Sequence, residues 1–164
     1  TSEIVKGLRN FSRLDEGDKK KTNINEGIES TLLIINNLIA KRRIEVVKLY
    51  GELPEIECFP GQINQVIMNV LTNAIDATGE DGKIFITTSK ENDKIKISIR
   101  DTGKGMNEEV RQKIFDPFFT TKDVGKGTGL GLSIAYGIIE KHKGKIEVRS
   151  DEGRGSEFII NLPV

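Results

Sequence analysis

The chain has 164 residues, with 25 basic and 25 acidic side chains and a formal net charge of zero. That length suits one ordinary domain with a short appendage, and the charge balance argues against a nucleic-acid or polyanion binder held by bulk electrostatics. A single cysteine, Cys58, excludes an internal disulfide and fits a reducing, cytoplasmic compartment, and with no long apolar run or signal-peptide pattern the expectation is a segment without direct membrane contact, whatever anchors its parent.

Ile4, Leu8 and Phe11 share one helical face in a stretch too short to fold alone, which reads as the end of a helix. The charged, glycine-interrupted run Asp15–Lys21 reads as a linker. The expected division is therefore an appendage over 1–21 and a domain over 22–164. Thr22 to Ile24 is predicted as a short strand. Asn25 is the candidate N-cap of a helix running to about Arg42, with Ile28, Leu32, Ile35 and Ile39 as its buried stripe. Glu26 and Glu29 near its start and Lys41 to Arg43 at its end agree with the macrodipole. Glu45–Leu49 and Ile56–Phe59 are predicted strands, and Pro60 opens a second helix.

That helix avoids charge. From Gly61 to Ile75 there is no Asp, Glu, Lys or Arg. Ile63, Val66, Ile67, Val70, Leu71, Ala74 and Ile75 recur at the spacing of a buried face. The remaining face carries the amides Gln62, Gln65, Asn69 and Asn73, with Asn69 and Asn73 one turn apart. Neutral amides in a row suit an anionic ligand with its metal ion, because an Asn oxygen is a hard, uncharged ligand for Mg²⁺.

Further along, Lys83–Lys90 and Lys94–Asp101 are predicted as a strand pair turning at Glu91-Asn92-Asp93. Ile95, Ile97 and Ile99 alternate with polar residues. Asn107–Ile114 reads as a short helix, Leu130–Lys143 as a longer one stopped by Gly144, and Lys145–Ser150 with Ser156–Leu162 as a closing hairpin. The predicted class is α/β (α+β): a two-layer sandwich with a mixed, mostly antiparallel sheet of about five strands and three main helices on one face.

Three constellations join the amide helix. The strand ending in Asp101-Thr-Gly103-Lys-Gly105-Met106 puts a carboxylate beside two glycines; an exocyclic amine is one donor it could accept from. Gly125-Lys-Gly127-Thr128-Gly129-Leu130-Gly131-Leu132 runs into a helix, which suits phosphates; it fits neither the Walker loop nor the dinucleotide fingerprint. Asp116-Pro-Phe118-Phe119-Thr-Thr-Lys122 lies in an aperiodic stretch and reads as a lid with Lys122 available to a phosphate, or as a loop anchored by its two rings.

In chain order (amide helix, Asp101–Met106, Asp116–Lys122, Gly125–Leu132) the four elements resemble the asparagine box, first glycine box, phenylalanine box and second glycine box of the ATP-binding domain of sensor histidine kinases. The resemblance runs from about Thr22 to Val164, and the wider superfamily includes gyrase, mismatch-repair and chaperone ATPases. It implies ATP and Mg²⁺ as cofactors and roles by position. Asn73 matches the Mg²⁺ ligand, with Asn69 beside the metal and phosphates. Asp101 matches the reader of the adenine amine, with Gly103, Gly105 and Met106 lining the base pocket. Phe115, Phe118 and Phe119 match the aromatic box. Gly127, Thr128, Gly129, Leu130, Gly131 and Leu132 match the phosphate loop. Ser156 falls where many relatives hold the base through water. Asp76 departs from the pattern, since many of these kinases carry Lys or Arg there; Lys122 would then be the catalytic cation.

The ATPases of the superfamily carry a Glu at the position of Asn69 to activate water. An amide is no general base at neutral pH, so Asn69 implies slow hydrolysis and a γ-phosphoryl kept for another acceptor. The only histidine, His142, reads as a helix C-terminal residue favoured by the dipole rather than as that acceptor. The implied function is transfer from Mg·ATP to a histidine of the dimerisation domain in a homodimeric parent, then to an aspartate of a response-regulator receiver domain. An ATPase clamp, a serine kinase of the same superfamily and a non-catalytic ATP sensor are the alternatives.

Overall fold

The computed structural model describes residues 18–119 and 131–164. The chain runs β1 (Lys20–Thr22), α1 (Ile24–Ile34), α2 (Asn36–Lys41), β2 (Glu45–Tyr50), β3 (Ile56–Cys58), α3 (Pro60–Thr78), β4 (Lys83–Glu91) and β5 (Lys94–Asp101). It continues with α4 (Glu108–Lys113), α5 (Gly131–Lys141), β6 (Lys145–Ser150) and β7 (Ser156–Pro163). The main sheet has five strands in the order β2-β4-β5-β7-β6; β1 and β3 form a separate antiparallel pair. Only β2–β4 is parallel in the main sheet. The architecture is the mixed, mostly antiparallel α/β sandwich that the sequence pattern predicts.

Alternation explains the sheet. In the central strand β5, Ile95, Ile97 and Ile99 point to the helices and are buried, and Asp101 follows in the same phase. Across the β5–β7 ladder Ile95 faces Leu162, Ile97 faces Ile160 and Ile99 faces Phe158. These side chains meet Ile63, Val66, Ile67, Val70, Leu71, Ala74 and Ile75 of α3 in one core, joined by Ile28 of α1 and Ala135 and Ile139 of α5. Each fully buried Ile or Leu contributes about 1.5–3 kcal/mol relative to exposure. Among the described residues no helix is long and apolar enough to cross a membrane.

Several boundaries differ from expectation. The helix predicted over 25–42 is two helices, broken at Ile35, where φ is −100° and ψ is 10°. Its N-cap is Asn23, whose side chain accepts from the Glu26 N–H, and not Asn25. Asn25 instead reaches the sheet layer: its Nδ2 donates to the Gly51 carbonyl at 2.9 Å, and its Oδ1 accepts from Thr88 Oγ1 at 2.8 Å. Thr88 is buried, so its hydroxyl needs that acceptor. The first strand lies at Lys20–Thr22 rather than 22–24, because it takes its register from β3.

His142 also differs from its reading as a charged residue drawn by the helix dipole. It is 8 % exposed. Its Nε2 lies 3.2 Å from the Phe59 N–H, which donates to it, and its Nδ1 lies 2.8 Å from the Ile138 carbonyl. That pattern requires the neutral ring with its proton on Nδ1. Burial pushes the imidazole below its ordinary value, against the Ile138 bond, and Lys19 and Lys141 add to the lowering. With the folded value depressed, the unfolded chain binds more protons, so this contribution is complete above the unfolded value of about 6.5 and is lost as pH falls. Urea midpoints are expected to drop between pH 7.5 and pH 5.5, and His142→Gln is expected to flatten that slope. An unchanged slope in the variant would remove His142 as its cause.

Candidate functional site

The fold assembles the site at the end of β5. Asp101 sits on the core face of its strand at 1 % exposure. Its Oδ1 accepts the Gly103 N–H at 2.9 Å and the Ser156 N–H at 3.3 Å. Its Oδ2 is buried without a hydrogen-bond partner among the described residues. Burial pushes this carboxyl above the usual range, and the two N–H donors oppose that shift.

The loop after Asp101 is gripped from two sides. On the helix side, the Lys104 N–H donates to the Ala77 carbonyl of α3 at 3.2 Å. On the hairpin side, the Gly153 N–H donates to the Lys104 carbonyl at 2.7 Å, and the Met106 N–H donates to Ser150 Oγ at 2.7 Å. Contact is close enough that three positions must be glycine: a Cβ at Gly103 would overlap the Ala77 carbonyl, and the other two also have positive φ. Gly105 has φ +69°, and a Cβ there would overlap the Asp151 carbonyl oxygen. Gly155 has φ +79°, and a Cβ there would overlap the carbonyl oxygen of Asp101 itself.

A cleft of about 140 Å³ opens beside this junction, lined by Asn73, Ala77, Gly105, Met106, Ile114 and Ser156 among others. Asn73 has no hydrogen bond among the described residues, so its amide oxygen is uncommitted. One turn earlier, Asn69 Nδ2 donates to the Gly131 carbonyl at 2.8 Å, fastening α3 to the first turn of α5. Leu132 packs against the core. Phe115 packs between Tyr136, with ring centroids 5.4 Å apart, and Phe158, at 6.2 Å.

The structure thus brings Asn73, Gly105, Met106 and Ser156 into one cleft, with Asp101 bonded to Ser156 and Gly103, and joins Asn69 to Gly131. It does not bring in every residue singled out by sequence. Phe118 is 73 % exposed, while Phe119 is half-buried. Gln62, counted on the polar face of α3, is buried at 8 % with its Oε1 unpaired among the described residues. Lys122, Gly127, Thr128, Gly129 and Leu130 lie outside the described residues. At the departure from pattern, Asp76 pairs with Arg42 at 3.3 Å, and Arg42 also donates to the Ile75 carbonyl at 3.2 Å. Ser150 was not found from sequence; a serine at a strand end carries no periodicity or motif signal.

Comparison with known proteins agrees with this geometry. The profile of the family described as histidine kinase-, DNA gyrase B-, and HSP90-like ATPase matches residues 60–164. The chain is 45 % identical to sporulation kinase E of Bacillus subtilis over 117 residues, which is 71 % of this chain and 16 % of that protein. The catalytic domain of histidine kinase ThkA matches with a TM-score of 0.81 and 39 % identity, covering 90 % of this chain and 96 % of that one. ThkA in complex with response regulator protein TrrA matches with a TM-score of 0.77 and 35 % identity, covering 99 % of this chain and 46 % of that one. The chain belongs to the family of histidine kinase-, DNA gyrase B- and HSP90-like ATPases, and within it is a catalytic domain of the histidine-kinase kind. It spans less than a third of the length of the curated relatives it matches.

Two glycines of one turn separate backbone strain from the contact that builds the site. Gly153 and Gly155 have φ of +77° and +79°, but a Cβ at Gly153 meets nothing within 4 Å. Gly153→Ala is expected to cost about 1 kcal/mol in urea unfolding, from the left-handed backbone alone. Gly155→Ala is expected to cost at least ~2 kcal/mol more, because it also displaces the Asp101 backbone. Equal losses would show that the close approach contributes nothing.

Proposed function

We propose that this domain binds Mg·ATP and donates its γ-phosphoryl to a histidine on the dimerisation domain of its parent kinase, for relay to an aspartate of a response-regulator receiver domain. The observation that carries the reading is Asp101 Oδ2: a buried acceptor without a donor, at the end of a strand whose loop and hairpin wall a cleft. A buried unpaired carboxylate oxygen is costly. The exocyclic amine of adenine supplies the missing donor, whereas the carbonyl that guanine presents at the same ring position would be repelled.

The other residues follow from position along the cleft. Asn73 offers its amide oxygen to Mg²⁺, which when bound neutralises phosphate charge; Asn69 stands one turn along, bonded through its Nδ2 and with Oδ1 free to accept. Gly103, Gly105, Met106 and Ser156 wall the base. By their match to the family boxes, Phe115, Phe118 and Phe119 are assigned to positioning the lid, the run Gly127 to Leu132 to holding the phosphates, and Lys122 to supplying the catalytic cation. Because Asn69 is not a general base, positioning and charge neutralisation carry the chemistry, and water is a poor acceptor. Buried His142 is unsuited to attack, so the acceptor is assigned to the dimerisation domain of the parent kinase. Cytoplasmic location and a homodimeric parent complete the reading, supported by the kinship with sensor kinases.

Calorimetry on the domain with Mg·ATP is expected to show binding that Asp101→Ala weakens at least tenfold, in line with loss of a hydrogen bond to a charged group worth about 1.5–3 kcal/mol. Supplying the dimerisation domain with γ-labelled ATP is expected to place an acid-labile label on that partner. Label on this domain alone, steady phosphate release without transfer, or an acid-stable label would each overturn the assignment.

A further inference from the structure

We infer that Ser150 is a positioning residue of the base pocket, holding the Met106 backbone in place and setting which way the Ser156 hydroxyl proton faces. The inference rests on the ATP reading above and goes beyond it by assigning a residue that the sequence analysis did not single out. Ser150 closes β6, half-buried. Its Oγ lies 2.7 Å from the Met106 N–H, 2.9 Å from the Gly155 carbonyl oxygen and 2.9 Å from Ser156 Oγ. One hydroxyl therefore meets the first glycine box, the β6–β7 turn and the wall of the cleft.

Proton counting gives this cluster its function. A serine hydroxyl has one proton and two acceptor sites. Met106 N–H fills one acceptor site of Ser150. If Ser150 donates to the Gly155 carbonyl, Ser156 donates to Ser150 and shows only lone pairs to the cleft. If Ser150 donates to Ser156 instead, the Ser156 proton is released toward the cleft, and Ser156 becomes a donor. The structure has Ser150 donating to the Gly155 carbonyl; because Ser156 Oγ lies at the same 2.9 Å, the second arrangement needs only a turn of the Ser150 proton and gives up the Gly155 bond in exchange for one made by Ser156 to the base. The second arrangement suits adenine, whose ring nitrogen beside the amine is an acceptor, whether met directly or through water. Guanine carries a donor there. Ser150 thus completes the selectivity that Asp101 begins.

A purely structural role is not required of this hydroxyl. Ser150 and Ser156 are already opposed in the β6–β7 ladder, and that ladder continues to Lys145 and Asn161. The side chain's longest reach is to Met106, 44 positions away in sequence, on the other wall of the pocket.

Calorimetry on the domain with Mg·ATP, Mg·GTP and Mg·tripolyphosphate tests the inference. Ser150→Ala is expected to weaken ATP about tenfold, narrow the ATP-over-GTP preference and leave tripolyphosphate unchanged. Ser150→Thr, which keeps the hydroxyl and suits a strand, is expected to restore ATP binding. Ser150→Cys preserves size with a weaker donor and acceptor, and an intermediate loss is expected. Losses from Ser150→Ala and Ser156→Ala are expected to be non-additive in the double variant. Unchanged ATP affinity in Ser150→Ala, or an equal fall for tripolyphosphate, overturns the inference. Asp101→Ala run alongside separates the two claims: if it keeps full ATP affinity the base-pocket reading itself fails, and if it alone loses binding only the role of Ser150 fails.

Discussion

A carboxylate taken out of water with half its hydrogen-bonding capacity unused is the constraint around which this domain is built. Burying an ion carries an effective penalty of several kcal/mol even after relaxation. Asp101 bears it because strand alternation leaves it no other face: it continues the phase of Ile95, Ile97 and Ile99 on the central strand. Two backbone N–H groups, from Gly103 and Ser156, offset the cost at Oδ1. To bring those donors in, the loop after β5 and the turn between β6 and β7 must touch backbone to backbone. That is why side chains are excluded at Gly105 and Gly155. Oδ2, without a partner among the described residues, is the group on which the proposed ligand contact rests, in keeping with functional sites that violate rules obeyed elsewhere in a fold.

Helix α3 translates this constraint into a complete site. Its apolar stripe closes the core over the sheet, and Asn73 on its other face borders the cleft. Because both faces are committed, charged residues have no place along its first four turns. It is tied to α5 at two places: Asn69 holds the Gly131 carbonyl, and the Phe59 N–H just before the helix holds His142 just after α5. The two helices are thereby linked at both ends of α5. Arg42 secures the far end of α3 through Asp76 and the Ile75 carbonyl. At this position the chain uses an acid to pair with Arg42.

Much of this was legible in the sequence. Period-two alternation gave β4, β5 and β7 their strands, and the 3.6-residue stripe gave α3 its buried face; both patterns are local. Of the residues the family boxes single out, Asn73, Gly105, Met106 and Ser156 line one cleft, and Asp101 is bonded to Ser156 beside it. What was misread depended on partners distant in sequence. Asn25 was taken for a cap, but the buried hydroxyl of Thr88 claims it from 63 positions away. His142 was read as a charged helix end, but Phe59, 83 positions away, needs its lone pair. Gln62 was assigned to the polar face, yet the core reaches it. Ser150 carried no local signal at all.

By itself the sequence determined the order of the main elements, the faces they bury and the family they belong to, because helix and strand periods and glycine-rich turns are properties of adjacent residues. Only the tertiary structure decided which hydrogen-bonding groups pair across the fold, and hence that one oxygen of Asp101 is left open. Hydrogen-bond saturation is a count over everything within about 3 Å of an atom, and residues that close in space are seldom close along the chain.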